Sequence, residues 1–169
     1  PKEFVDYWSK HISLGCGFMF RDNEPFGGLL RINYNSFSLK DDNFLSGKNS
    51  LYGNVSVSGG MLKILSFSSN IFISLTSTEN KFQIYFFGGG GFYKLKYERI
   101  KISTNLGDYY VPEDLKVKSG VNIGTEIEAR IYKNFGLNLQ CLFHTIFFQE
   151  SENFNYITLQ LGLVLHSDD

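Results

Sequence analysis

The sequence predicts an all-β chain folded as one antiparallel up-and-down barrel. Three observations carry this: apolar and polar residues alternate with period two through seven segments, turn-forming residues fill the breaks, and no long segment holds a 3.6-residue period. Among 169 residues stand 17 Phe, 10 Tyr and 17 Gly against 3 Pro, a balance of sheet formers and close backbone approaches that excludes disorder and coiled coil. The length suits a single domain over residues 1–169. A formal net charge of −1 gives no electrostatic case for nucleic acid. Two cysteines exclude a disulfide scaffold and a four-ligand zinc module, and no apolar run reaches the length of a membrane helix.

Each element follows from this alternation. Ile12, Leu14, Cys16, Phe18 and Phe20 alternate with Ser13, Gly15, Gly17 and Met19, and Asp22-Asn23-Glu24-Pro25 closes the strand as a tight turn. Phe26, Gly28, Leu30, Ile32 and Tyr34 then oppose Gly27, Leu29, Arg31, Asn33 and Asn35, before a polar stretch at 40–50. A third strand is read over 51–65, with Val55, Val57 and Met61 facing away from Asn54, Ser56, Ser58 and Gly60, and residues 71–75 form a short extra strand. Over 81–97 the apolar side is Tyr85, Phe87, Tyr93, Leu95 and Tyr97, opposed by Lys94, Lys96 and Glu98, while glycines 88–91 blur the phase. The clearest alternation sets Val121, Ile123, Thr125, Ile127, Ala129 and Ile131 against Asn122, Gly124, Glu126, Glu128 and Arg130. Lys133-Asn134 makes a two-residue hairpin to a strand with Phe135, Leu137, Leu139, Cys141, Phe143 and Phe147 opposite Gly136, Asn138, Gln140 and His144. After a polar loop at 149–153, Ile157, Leu159, Leu161, Leu163 and Leu165 oppose Thr158, Gln160 and Gly162. Every second connection is longer, which puts the large loops at one end, as in transmembrane β-barrels.

Period two defines two faces without their sign. A soluble lipocalin-like barrel binding an apolar ligand would turn the apolar face inward, and it stands as the alternative. The small residues on the polar face favour the reverse, because Gly and Ser weaken an exposed sheet and make room inside a narrow barrel. Arg31, Lys94, Glu126, Glu128 and Arg130 then form a lumen charge network of both signs. Trp8, Tyr34, Tyr97, Tyr132 and Phe147, at strand ends, become interfacial aromatics.

The stretch Ser119-Gly120-Val121-Asn122-Ile123-Gly124-Thr125-Glu126-Ile127-Glu128, the run Phe135-Gly136-Leu137-Asn138-Leu139 and the closing strand 157–165 resemble the outer-membrane protein β-barrel domain of Gram-negative bacteria. Tyr85-Phe86-Phe87-Gly88-Gly89-Gly90-Gly91-Phe92-Tyr93 is similar to the glycine-aromatic middle strand of that family. The resemblance covers nearly the whole chain. It implies eight antiparallel strands, a small non-porin barrel and residence in the cell outer membrane, with its lipid as partner. Only seven strands are read here, and the first and last run the same way. An even-stranded barrel then requires an eighth between them. Residues 1–10, with Phe4, Tyr7 and Trp8, read as a loop. The expectation is therefore an N-terminally incomplete barrel, trimmed upstream of Pro1, or a gap filled by another protein chain or by 71–75.

Little chemistry is written into the motifs. The glycine run lacks the Lys-Ser/Thr of a phosphate cradle, and His11, His144 and His166 lack metal-ligand spacing, so no metal or cofactor is expected. A lipid-modifying enzyme would need a nucleophile beside a base, yet His144 and Thr145 point to opposite faces. Glu126 and Glu128 share a face, suited to acid–base work or, more plainly, to ion pairs with Arg31 and Arg130. The expected function is non-enzymatic, structural or surface-interacting, with a side-chain-filled lumen and with loops 40–50 and 99–116 as contact surfaces.

Overall fold

The structure, a computed structural model, describes residues 8–23, 25–40, 55–77, 80–132, 135–148 and 153–166, which are all-β and mostly antiparallel. Seven long strands are hydrogen-bonded side by side: β1 (Trp8–Asn23), β2 (Phe26–Leu39), β4 (Met61–Ser74), β5 (Phe82–Tyr97), β8 (Asp114–Tyr132), β9 (Phe135–Ile146) and β10 (Phe154–His166). Their order is β1-β10-β9-β8-β5-β4-β2, a closed barrel. The strand ends bounding 24–25, 75–81 and 133–134 lie at one end and those bounding 40–60, 98–113 and 147–153 at the other; the two longest intervals share an end, while 75–81 and 147–153 are equal in length.

The eight-stranded expectation is corrected. β1 and β10 do run the same way, and they pair with each other in parallel, from Cys16 opposite Leu163 to Met19 opposite His166. No inserted strand is needed, because an odd ring closes through one parallel pair and that pair also satisfies backbone N–H and C=O groups. This seam is much shorter than the antiparallel ladders, which run nearly the full length of their strands. Residues 8–10 belong to β1 rather than to a loop, and 1–7 lie outside the described residues.

Two further elements differ from expectation. Residues 71–74 are no separate strand but the end of β4, paired with Phe26–Gly28 on one side and with Tyr85–Gly88 on the other. The strand read over 51–65 is broken at Gly59 and Gly60, whose φ of 83° and 75° suit glycine. The part before the break is β3 (Ser56–Gly59), which leaves the barrel, and residues 51–54 lie outside the described residues. β3 pairs with β6 (Ile100–Thr104), and β6 with β7 (Gly107–Val111), giving a separate three-stranded sheet at the long-connection end. Ser56 and Ser58 are accordingly exposed rather than luminal. The connection 99–116 is thus mostly sheet, while 41–50 lies outside the described residues.

Facing inward and outward follows the predicted phase on β1, β2, β8, β9 and β10: Leu14, Phe18, Ile32, Val121, Ile123, Leu139 and Leu161 are exposed, whereas Arg31, Asn33, Asn122, Glu126 and Gln140 are buried. β5 is the exception, and its phase is reversed. Tyr85, Phe87, Tyr93 and Leu95 are buried inside, and Lys94 and Lys96 face out. The physical reason is filling. Two apolar clusters block the interior, one of Met19, Leu29, Phe72, Tyr85, Phe87, Leu142 and Val164, the other of Phe37, Leu62, Ile64, Tyr93, Leu95, Ile146 and Tyr156. A narrow ring holds such large rings only where neighbouring strands press close, and glycine allows it. A Cβ at Gly89 would stand 2.7 Å from Asn70 Cα, and one at Gly91 2.7 Å from Ser68 Cα, so both positions exclude larger side chains. The glycine run is packing, as its sequence context suggests.

The parallel seam is directly testable. Cys16 and Leu163 are register partners across it, and neighbouring strands generally lie within the Cα separation a disulfide bridges. In a Cys141→Ser background, Leu163→Cys is expected to lose both free thiols on mild oxidation while remaining a folded monomer. Two persistently free thiols would show that β1 and β10 are not neighbours.

Candidate functional site

Between the two apolar clusters the lumen is polar. β2 contributes Arg31, Asn33 and Asn35 at strand spacing, β4 Ser66, Ser68 and Asn70, β8 Asn122 and Glu126, β9 Asn138, Gln140 and His144, and β10 Thr158 and Gln160, all buried. At its centre Arg31 donates to the Glu126 carboxylate, joining β2 to β8 across the barrel, with both side chains essentially out of solvent. Asn138 Nδ2 donates to Glu126 Oε1 at 2.7 Å, and the Arg31 guanidinium lies 3.9 Å from the Phe87 ring centroid. A buried ion pair of this kind gains stability only when its remaining polar atoms are also satisfied.

The predicted charge network is thus partly assembled. Arg31 and Glu126 meet. Glu128 is buried nearer the short-connection end, where the Tyr85 hydroxyl lies 3.3 Å from its Oε2 and also reaches Gln83. Arg130 is half-buried, its Nε without a hydrogen-bond partner, and it makes no described ion pair with Glu126 or Glu128. Lys94 lies outside the barrel on the exposed face of β5, a correction that follows from the reversed phase of that strand.

Of the interfacial aromatics, Tyr132 is strongly exposed at the short-connection end and Phe147 exposed at the other, while Tyr34 is half-buried on the outer phase of β2. Trp8 and Tyr97 are corrected: both pack inward against the cluster around Tyr93 and Tyr156. The register shift between Lys10 and Ile12 moves Trp8 off the outer phase. Cys16 and Cys141 are exposed on the outer face, as their period places them.

A polar arrangement the sequence does not single out surrounds His144. Its Nδ1 is 3.1 Å from the Tyr93 hydroxyl, its Nε2 3.3 Å from Thr158 Oγ1, and its ring stacks on Tyr156 with centroids 4.5 Å apart. Thr158 and His144 share the inward phase of adjacent strands, a signal available from period two, but Tyr93 joins them only through the phase of β5. Gln160 Nε2 donates to Ser13 Oγ at 2.6 Å, and Ser13 Oγ to Asn35 Oδ1 at 2.7 Å, linking β10, β1 and β2 behind the short seam. Several other luminal amides, among them those of Asn33, Asn122 and Gln140, carry buried atoms without a protein partner, which suits a wet polar compartment. Among the described residues no group of three or more His, Cys, Asp or Glu is placed to hold a metal ion.

Outside the barrel, Lys101 Nζ lies 2.8 Å from Asp108 Oδ2 across β6 and β7. Hydrogen bonds from Lys101 and then Ser103 hold the Asp108 carboxyl below its ordinary value, and the bond to Asp108 raises Lys101. The chain was compared with protein-family models, curated proteins and solved structures, and none matches.

Two predictions follow from these charges. Removing one partner of the buried pair, by Arg31→Met or Glu126→Leu, strands the other and is expected to cost about 3–5 kcal/mol, whereas the double variant Arg31→Met with Glu126→Leu recovers most of that loss. Denaturant midpoints check this, and additive losses would deny the coupling. For the hairpin, a depressed carboxylate contributes above its unfolded pKa and is lost as pH falls through the lower folded value. Proteolysis at the β6–β7 turn is therefore expected to rise only below the ordinary carboxylate range, and Asp108→Asn to abolish that acid step. An unchanged pH profile in the variant would remove Asp108 as its cause.

Proposed function

We propose that this chain is a small, non-porin β-barrel protein of a bacterial outer membrane, non-enzymatic, with a filled lumen and a structural or surface-interaction role. The observation that carries the reading is the outer surface. Leu14, Ile71 and Leu161 are 63%, 72% and 73% exposed, and they belong to a belt that includes Phe18, Ile32, Phe67, Phe92, Ile123, Leu139, Phe143 and Leu159. Soluble proteins rarely expose apolar patches beyond a few hundred Å², and here such side chains encircle the barrel while the charges of Arg31, Glu126 and Glu128 are buried inside it. At ~3.3 Å per residue and a tilt of roughly 40°, the stretch from Val121 to Ile131 rises about 25 Å, the height of the apolar band in outer-membrane barrels.

The filled lumen supports the non-porin assignment, since seven strands enclose less than the eight that side chains just fill. Binding of an apolar ligand inside is poorly supported, because the interior apolar residues form two plugs separated by polar side chains. The β3–β6–β7 sheet supports a surface role, with Leu106, Tyr109, Tyr110 and Val111 exposed beyond the barrel.

Partitioning is the test. The full chain is expected to need detergent for extraction, to show heat-modifiable migration and to give no large, stable conductance in planar bilayers. A monodisperse monomer in detergent-free buffer would overturn the membrane reading. A large open conductance would overturn the filled lumen.

A further inference from the structure

Where the outer face of β5 leaves the apolar belt, its character changes within two rows. One row sets Phe67, Phe92 and Ser119 side by side on β4, β5 and β8; the next sets Leu65, Lys94 and Val117; the next Lys63, Lys96 and Leu115. Against this boundary lies an open pocket of about 400 Å³ lined by Lys94, Lys96, Glu113, Asp114 and Leu115. Its charges are unevenly matched. Asp114 is engaged by Lys116, Oδ2 to Nζ, at 2.9 Å, and Lys63 by Glu98. Lys96 stands 3.6 Å from Glu113 Oε2, close enough for attraction but beyond a hydrogen bond. Lys94 makes no ion pair among the described residues, though it is exposed and flanked by Leu65 and Val117.

A site so built offers one ammonium for an anion, one carboxylate for a cation and an apolar floor, all at the edge of the apolar belt. We propose that it binds the headgroup of a phospholipid carrying a primary ammonium. The phosphate takes its charge-assisted hydrogen bond from Lys94, the ligand ammonium donates to Glu113, and the acyl chains run down over Leu65, Val117, Phe67 and Phe92. A purely anionic amphiphile would set its second charge against Glu113, the lining carboxylate that no lysine holds within hydrogen-bond distance, so like-charge repulsion there favours the zwitterion. A quaternary ammonium has no N–H to donate and loses the second contact. The inference rests on the membrane reading for its lipid, but the pocket's chemistry is separable from it.

The test uses the full chain purified in detergent, titrated with dihexanoyl phosphatidylethanolamine, phosphatidylcholine and phosphatidylglycerol and with lipid A, and read by native mass spectrometry. Water-soluble short-chain lipids keep the headgroup question answerable even where detergent-free solubility has already overturned the membrane reading. The ethanolamine lipid is expected to bind at least fivefold more tightly than the other three. Lys94→Ala is expected to weaken it about fivefold or more, and Glu113→Gln to erase the preference over phosphatidylcholine while retaining phosphate-dependent binding. Both positions are exposed and outside the barrel interior, so circular dichroism and heat-modifiable migration of the variants should match the parent. Equal binding of all headgroups, preference for lipid A or phosphatidylglycerol, or unchanged affinity in Lys94→Ala would each overturn the proposal.

Discussion

Closing the sheet on itself is the constraint to which the remaining structure responds. A sheet edge is a row of unpaired N–H and C=O groups, open to pairing with another chain unless the sheet closes on itself. Seven strands close only if one neighbouring pair is parallel, and β1 with β10 is that pair. Its ladder is short, and the hydrogen bonds from Gln160 to Ser13 and on to Asn35 tie the three strands together beside it.

Ring size then dictates what the interior holds. A seven-stranded ring leaves room for side chains and little else, so the lumen is built in layers, with an aromatic and aliphatic plug towards each end and polar residues between them. The glycines of β5 and the serines of β4 yield space, and Tyr85, Phe87 and Tyr93 take it. In the polar layer the Arg31–Glu126 pair spans strands that are not neighbours in the sheet. Such a pair ties opposite walls together, and its geometry favours one barrel register over its neighbours, since a slip by one residue would turn either charge outward.

The outer surface divides along the barrel axis. The belt is apolar, while towards the long-connection end lysines appear on β4 and β5, and a small exposed sheet continues beyond. This polarity of the molecule arises from connection length. Short reversals leave no chain to spare at one end, while long connections at the other carry β3, β6 and β7.

The sequence by itself determined whatever depends on neighbouring residues. Period two assigned the inward and outward faces of β1, β2, β8, β9 and β10, because successive strand side chains must alternate. Loop lengths assigned the two ends, and the same alternation put Arg31 and Glu126 on inward faces. Only the tertiary structure decided what depends on the count and register of distant strands. Parallel closure could not be read, because nothing local distinguishes a seven-stranded ring from an eight-stranded one. The phase of β5 is not decided by its own residues, because both its faces carry large apolar groups, Phe86 and Phe92 outside and Tyr85, Phe87 and Tyr93 inside, so hydrophobicity gives no sign there. Lys94 followed that strand outward, and Trp8 and Tyr97 turned inward to complete a plug that exists only once the ring is closed. The physical reason is the same in each case: alternation is a property of one strand, whereas the space inside a barrel belongs to all of them.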